Sequence, residues 1–213
     1  MLKARVLHVS VPDNAARLRP FGRDVRIHWD AQELGERGTY TSVALVDALM
    51  RVVLDEELET AVAALDWALH TGRLDRIDFE RVILRLPRRR RWIADWVDPA
   101  CESLPESLSR TRVRLAGYSV SSQVPLDGAR IDLVIEGIVG METDGDEFHR
   151  DSFEKDRRKD VAIIRAGYLP VRASARMVFH EWPTILRAIE FLLNRQWKAP
   201  PSPKSVRGIG PSR

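Results

Sequence analysis

Arg130-Ile131-Asp132-Leu133-Val134-Ile135, then Glu136-Gly137, then Ile138-Val139-Gly140-Met141-Glu142-Thr143-Asp144: the fold turns on this stretch. Two apolar runs of strand length flank a turn pair. Each run carries carboxylates, Asp132 in the first and Glu142 with Asp144 at the end of the second. A carboxylate inside a buried strand costs several kcal/mol unless it is paired or binds a metal. Strand alternation puts Glu142 and Asp144 on one face, with Thr143 opposite. If the two strands pair, Asp132 lies beside Glu142, and two or three oxygens converge on one point. That donor set suits a hard ion, Mg²⁺ or Mn²⁺, which activates water and steadies a phosphorane-like transition state.

Working outward, residues 99–115 read as a helix with Leu104, Leu108 and Leu115 on one side and Gly117 as its stop. Residues 118–126 read as extended, and Asp127-Gly128 with Ala129 makes a hairpin turn into the Asp132 strand. Beyond Asp144, His149 falls just past the strand end, where a proton donor or outer ligand would serve. A polar helix is expected over 153–166, closing at Gly167. On it Asp156 and Asp160 share a face, where they suit salt bridges to neighbouring arginines. Arg157, Arg158 and Lys159 can meet a phosphate backbone. A strand over 168–172 ends at Arg172, which fits a carboxylate or a phosphate equally. A last helix spans 183–196, with Ile185, Leu186, Ile189, Leu192 and Leu193 inward. The order is α-β-β-β-α-β-α.

Several blocks in this half resemble the very-short-patch-repair-like branch of the PD-(D/E)XK nuclease superfamily. They are Ser103-Leu104-Pro105-Glu106, Gln123-Val124, Arg130-Ile131-Asp132, Glu142-Thr143-Asp144-Gly145 with His149, Asp156-Arg157-Arg158-Lys159-Asp160, and Gly167-Tyr168 leading to Arg172. The resemblance implies a restriction-endonuclease-like mixed sheet flanked by helices. It implies catalytic roles for Asp132, Glu142, Asp144, His149 and Glu106, with Asp132 and Glu142 as metal ligands. Glu106 reads equally as a plain helix charge beside its capping Ser103. Gln123 would bind backbone or an active-site water, alongside Arg157, Arg158, Lys159 and Arg172 on the nucleic acid. In the wider superfamily a lysine stands two places after the glutamate; here Asp144 does. Lys155, Lys159 and His149 are the candidates for that missing role, and spacing does not choose among them.

The first half reads differently. Residues 6–11 and 25–29 alternate like strands, suggesting a hairpin-like pair. Thr41-Ser42 should cap a helix carrying Val43, Leu45, Val46, Leu49, Val52 and Val53. Leu58, Val62, Leu65 and Leu69 make a second helix ending at Gly72, and Asp75 opens a third that Pro87 stops. Residues 87–99, with Arg88-Arg89-Arg90-Arg91, Trp92 and Trp96, read as the boundary. They read either as a solvated linker whose tryptophans pack onto a neighbouring helix or as a phosphate-and-base surface. The stretch from Thr41-Ser42 to Ala64-Leu65-Asp66-Trp67-Ala68-Leu69-His70-Thr71-Gly72 resembles the middle of bacterial regulators of the AbiEi-like, type IV antitoxin-like kind. Those begin with a winged helix. The residues before Val6 are too few for one, so the chain is expected to lack it or to start late, without promoter binding of its own.

The expected organisation is an α+β/helical unit over 1–97, a nuclease-like domain over 98–197 and a disordered basic tail over 198–213. The tail holds Lys198, Lys204, Arg207 and Arg213; removing these four from 34 basic residues leaves 30 against 31 acidic ones. The pI of about 9.3 therefore does not make the folded body basic, and a nucleic-acid surface must come from local clustering. No apolar run is long enough for a transmembrane helix or a signal peptide, so a cytoplasmic protein without membrane contact is expected. Cys101 is alone and reads as a small buried hydrophobe. His8, His28, His70 and His180 show no ligand spacing and carry no assigned role.

The expectation for function is an α/β, Mg²⁺- or Mn²⁺-dependent DNA endonuclease. Its rival is a DNA-binding or regulatory module that keeps the nuclease fold without turnover. A regulator or antitoxin-like partner is compatible with both, and a double-strand cutter would work as a homodimer.

Overall fold

A computed structural model of the chain describes residues 6–12, 14–16, 24–30, 39, 42–144 and 152–194, leaving aside the side chains of 30 and 152–156. His149, Gly145 and the tail lie outside the described residues, as do the side chains of Lys155 and Asp156. The chain divides into two compact units, Met1–Pro99 and Ala100–Arg213. No helix among the described residues is long and apolar enough to cross a membrane.

In the first unit, β1 (Leu7–Pro12) and β2 (Val25–Asp30) lie side by side, but parallel, with Leu7 opposite Val25 and Ser10 opposite His28. The expected hairpin is thus corrected. Period-two alternation is the same for either direction, and residues 13–24 are long enough for the crossover a parallel pair requires. Three helices follow: α1 (Leu45–Asp55), α2 (Leu58–His70) and α3 (Arg76–Arg85). The cap of α1 is Ala44 rather than Thr41-Ser42, and Ser42 instead pairs with Thr39, hydroxyl to hydroxyl at 2.8 Å. The stripes on these helices meet in one core of Leu49, Val53, Val62, Leu65, Val82 and Leu86. Gly72, at φ +66, lets the chain leave α2 in the left-handed region. Asp75 accepts from Asp78 N at 2.7 Å to start α3.

Arg88 and Arg89 are exposed and Trp96 packs against the helical core, as the linker reading expects, but the run is helical. Arg88–Trp96 forms a 3-10 helix that buries Ile93 to 3% exposure in the same core. Arg91 donates to the carbonyls of Leu84 and Leu86, which cap the end of α3. Trp92 and Trp96 meet edge to face at 6.4 Å. Ile93, between Trp92 and Ala94 just after four arginines, makes no period long enough to show its burial in the sequence.

The second unit begins with α4 (Leu104–Leu115), shorter than the helix expected from residue 99, because Ser103 is its N-cap. Four strands follow: β3 (Val120–Leu126), β4 (Ala129–Ile135), β5 (Val139–Asp144) and, after helix α5 (Ser152–Arg165), β6 (Leu169–Ser174). The sheet order is β3-β4-β5-β6; the first two pairings are antiparallel and the last is parallel. Two helices close the unit, α6 (Ala175–His180) and α7 (Trp182–Asn194). The short α6 is additional to the expected order; Ser174 starts it by accepting from Met177 N. The result is a mixed four-stranded sheet flanked by helices.

Helix α5 sits unusually close to the sheet. A Cβ on Gly140 would lie 2.9 Å from Ile163 Cγ2 and 3.4 Å from Tyr168 Cβ. The missing side chain on β5 is what seats Ile163, itself fully buried. Four helical residues rise about 6 Å and two strand residues about 6.6 Å. Seating Ile163 on Gly140 therefore brings Lys159, one turn earlier, over Glu142.

Candidate metal centre

The β4–β5 ladder runs through Ile135 with Val139, Val134 with Gly140, and Leu133 with Met141. One step further would set Asp132 opposite Glu142, and there the carboxylates take over the backbone amides. Asp132 N donates to Glu142 Oε1 at 3.3 Å, while Asp132 Oδ2 accepts from Thr143 N at 2.8 Å and from Thr143 Oγ1 at 3.2 Å. Each acidic side chain is thereby pinned by the other's strand. The opposite edge of β4 is interrupted at the same level. Val124 pairs with Ile131 and Ser122 with Leu133, while Gln123 between them has φ +51. A non-glycine residue in the left-handed region stores strain, and such strain gathers at functional sites.

Lys159 completes the centre. Its ammonium is ion-paired with Glu142 Oε2 and lies 3.6 Å from Asp132 Oδ1. Beside them, Glu106 is buried at the start of α4. Its Oε1 accepts from Ser103 Oγ at 2.8 Å, and its Oε2 accepts from Glu102 N at 3.0 Å and from Gln123 Nε2 at 2.8 Å. With Ser103 Oγ accepting from Glu106 N, this is a reciprocal helix cap. Glu106 therefore caps α4 and orients Gln123 together.

The electrostatics are those of a site with too much negative charge. Glu142, 4% exposed, has its carboxyl pushed up to about 7. Burial is the largest cause and the charge of Asp132 the next; together they outweigh the lysine. Glu106 is raised too, by burial first and by Asp132, against the hydrogen bonds it accepts. Burial works against the Lys159 charge, but the Glu142 bond and both carboxylate charges raise its pKa nonetheless. Among the described residues, Asp132 and Glu142 share the Lys159 ammonium, and the Asp132 charge also bears on Glu106.

Among the described residues, those singled out in the sequence fall into three groups. Asp132, Glu142, Glu106, Gln123 and Lys159 come together. Asp144 and Arg172 stand beside them as a separate pair: Arg172 donates to Asp144 Oδ1 at 3.0 Å and to Asp160 Oδ1 at 3.1 Å. Arg172 here serves carboxylates, tying β6 to the end of β5 and to α5. Arg157 and Arg158 are exposed on α5.

The donor set suits a hard divalent cation, since two strand-borne carboxylates converge with more negative charge than one lysine offsets. Among the described residues, Asp132 and Glu142 do not gather a third carboxylate or imidazole closely enough to form a three-ligand cluster. Among the described residues the one such cluster is His8, His28 and Asp55, in the first unit. The sequence assigns those histidines no role. They lie on two separate strands, and no local spacing joins them.

Comparison of the chain with protein-family models, with curated proteins and with solved structures finds no match in any of the three.

Proposed function

We propose that the second unit is a restriction-endonuclease-like, metal-dependent phosphodiester hydrolase acting on DNA. One observation carries the reading: Lys159, from helix α5, reaches the paired carboxylates Asp132 and Glu142. Asp144 holds the place two residues after the glutamate, where the wider superfamily has a lysine. Lys159 offers such an ammonium from another element, which supports a hydrolytic role for the centre.

Asp132 and Glu142 would hold the cation. Bound there, it supplies a lowered pKa for water and neutralises charge on the phosphate. Thr143 keeps Asp132 in position through two hydrogen bonds. Lys159 places a cationic donor where charge develops on the phosphate oxygens. Gln123, aimed by Glu106, fixes the floor of the site. Arg157 and Arg158 offer exposed charge to the backbone of the nucleic acid.

The reading is tested by incubating supercoiled plasmid with the purified full chain and Mg²⁺ or Mn²⁺. Nicking that a chelator stops supports it; intact plasmid in both metals opposes it. A second reading, a nuclease-fold module that binds DNA without turnover, draws on Asp144 being engaged by Arg172. It calls for salt-sensitive DNA binding, indifferent to Asp132→Ala, and no cutting.

A further inference from the structure

The first unit holds a second constellation that the hydrolase reading leaves unused. His8 on β1 and His28 on β2 point to the same side of the parallel pair, two residues out of register. His28 Nε2 lies 3.1 Å from His8 Nδ1. Asp55, at the C-terminal end of α1, brings Oδ2 to 3.3 Å from His28 Nδ1. That oxygen is buried and accepts no hydrogen bond of good geometry. One ligand atom from each of the three residues falls within 4.8 Å of the others.

We propose that His8, His28 and Asp55 form a binding site for a divalent cation of the zinc class, with a coordination position left open to the adjoining cleft. Two imidazoles and one carboxylate are a borderline donor set, suited to Zn²⁺, Co²⁺ or Ni²⁺ and poorly matched to Mg²⁺ or Ca²⁺, which take oxygens. A tetrahedral ion with Zn–N bonds of about 2.0–2.1 Å separates its nitrogens by roughly 3.3 Å. The imidazole pair is already near that separation. In the metal-free protein one of the two facing nitrogens carries a proton, which the cation replaces and releases. Arg51 Nε, 3.9 Å from Asp55 Oδ2, is the competing partner. Both side chains of that pair are partly solvated, so it is a weak competitor.

The surroundings argue for an open rather than a closed site. Among the described residues the three side chains line a cleft of about 730 Å³, whose other walls include Leu7, Val43, Met50, Val52, Leu54 and Ala64. Three protein ligands beside an apolar cleft match a zinc centre that keeps a place for water or a small ligand. A structural zinc is usually closed by four protein ligands.

Cobalt is the probe, because four-coordinate Co²⁺ absorbs strongly in the visible and six-coordinate Co²⁺ on oxygens does not. The full chain is titrated with Co²⁺ in excess Mg²⁺, which occupies the carboxylate centre of the second unit. The expected result is an intense visible band saturating at one equivalent and abolished by Zn²⁺. His8→Ala and Asp55→Asn should each weaken Co²⁺ binding at least about tenfold. His8 is exposed, so the metal-free His8→Ala protein should keep the wild-type urea midpoint, separating lost ligation from lost fold. No intense band in wild type, or equal affinity in wild type and His8→Ala, overturns the proposal whether or not the second unit cuts DNA.

Discussion

Lys159 on helix α5 is ion-paired with Glu142 on strand β5, although the two come from different elements. The pair exists because Gly140 lets Ile163 sit against the sheet. The lysine ammonium therefore occupies the neighbourhood in which a divalent cation would neutralise Asp132 and Glu142.

Removing that ammonium should move binding and turnover in opposite directions. In Lys159→Met, the ammonium no longer competes with a cation for the two carboxylates, so Mn²⁺ should bind tighter, by roughly tenfold. Cleavage should fall by about 10²-fold or more, the usual loss for one preorganised donor. Calorimetric Mn²⁺ titration and single-turnover cleavage read the two effects. A fall in both would make Lys159 a structural strut.

Gly140→Val tests the seating of α5. The added methyls must displace Ile163, at a cost of about 1–3 kcal/mol in urea unfolding. Cleavage should drop even where the variant is fully folded, because Lys159 shifts with the helix. Wild-type stability would mean that the close approach of helix and strand is not needed.

The raised pKa of Glu142 has a definite sign. A carboxyl held near 7 when folded, against about 4.5 when exposed, favours folding below pH 4.5, and that advantage is lost as pH rises through 7. Comparing metal-free wild type with Glu142→Gln at about pH 5 and about pH 8 isolates the group. The variant should gain on wild type over that interval by up to about 3 kcal/mol. Saturating Mg²⁺ should shrink the gain. A gap that does not change with pH would mean that Glu142 titrates normally.

Arg172 and the α5 arginines should separate in DNA binding. Arg172 is engaged by Asp144 and Asp160, so Arg172→Ala should cost about 1–3 kcal/mol of stability and leave the salt slope of binding unchanged. Arg157→Ala and Arg158→Ala should each reduce that slope by about one. Measuring affinity across a salt series decides it; a reduced slope for Arg172→Ala would return that residue to the nucleic-acid surface.

Much of this centre is legible in the sequence. Asp132 and Glu142 stand out because they interrupt apolar strands, and a hairpin must bring them close. Lys159 is harder to read. It is one of three candidates, and the choice depends on the phase of α5 over β5, which Gly140 sets without any local signal. Asp144 shares a face with Glu142 as alternation requires, yet it turns to Arg172, a partner supplied by the parallel strand β6. In the first unit the helical stripes are plain. The direction of β2 is not, since alternation carries no sense of direction. The meeting of His8 with His28 depends on that register and was invisible for the same reason.

The decisive measurement is single-turnover cleavage of supercoiled plasmid in Mn²⁺ by wild type, Asp132→Ala, Glu142→Ala and Lys159→Met purified in parallel. Nicking by wild type, with all three variants reduced about 10²-fold or more, is the expected result. Equal nicking by all four proteins, or none by wild type, would contradict a hydrolytic centre at Asp132, Glu142 and Lys159.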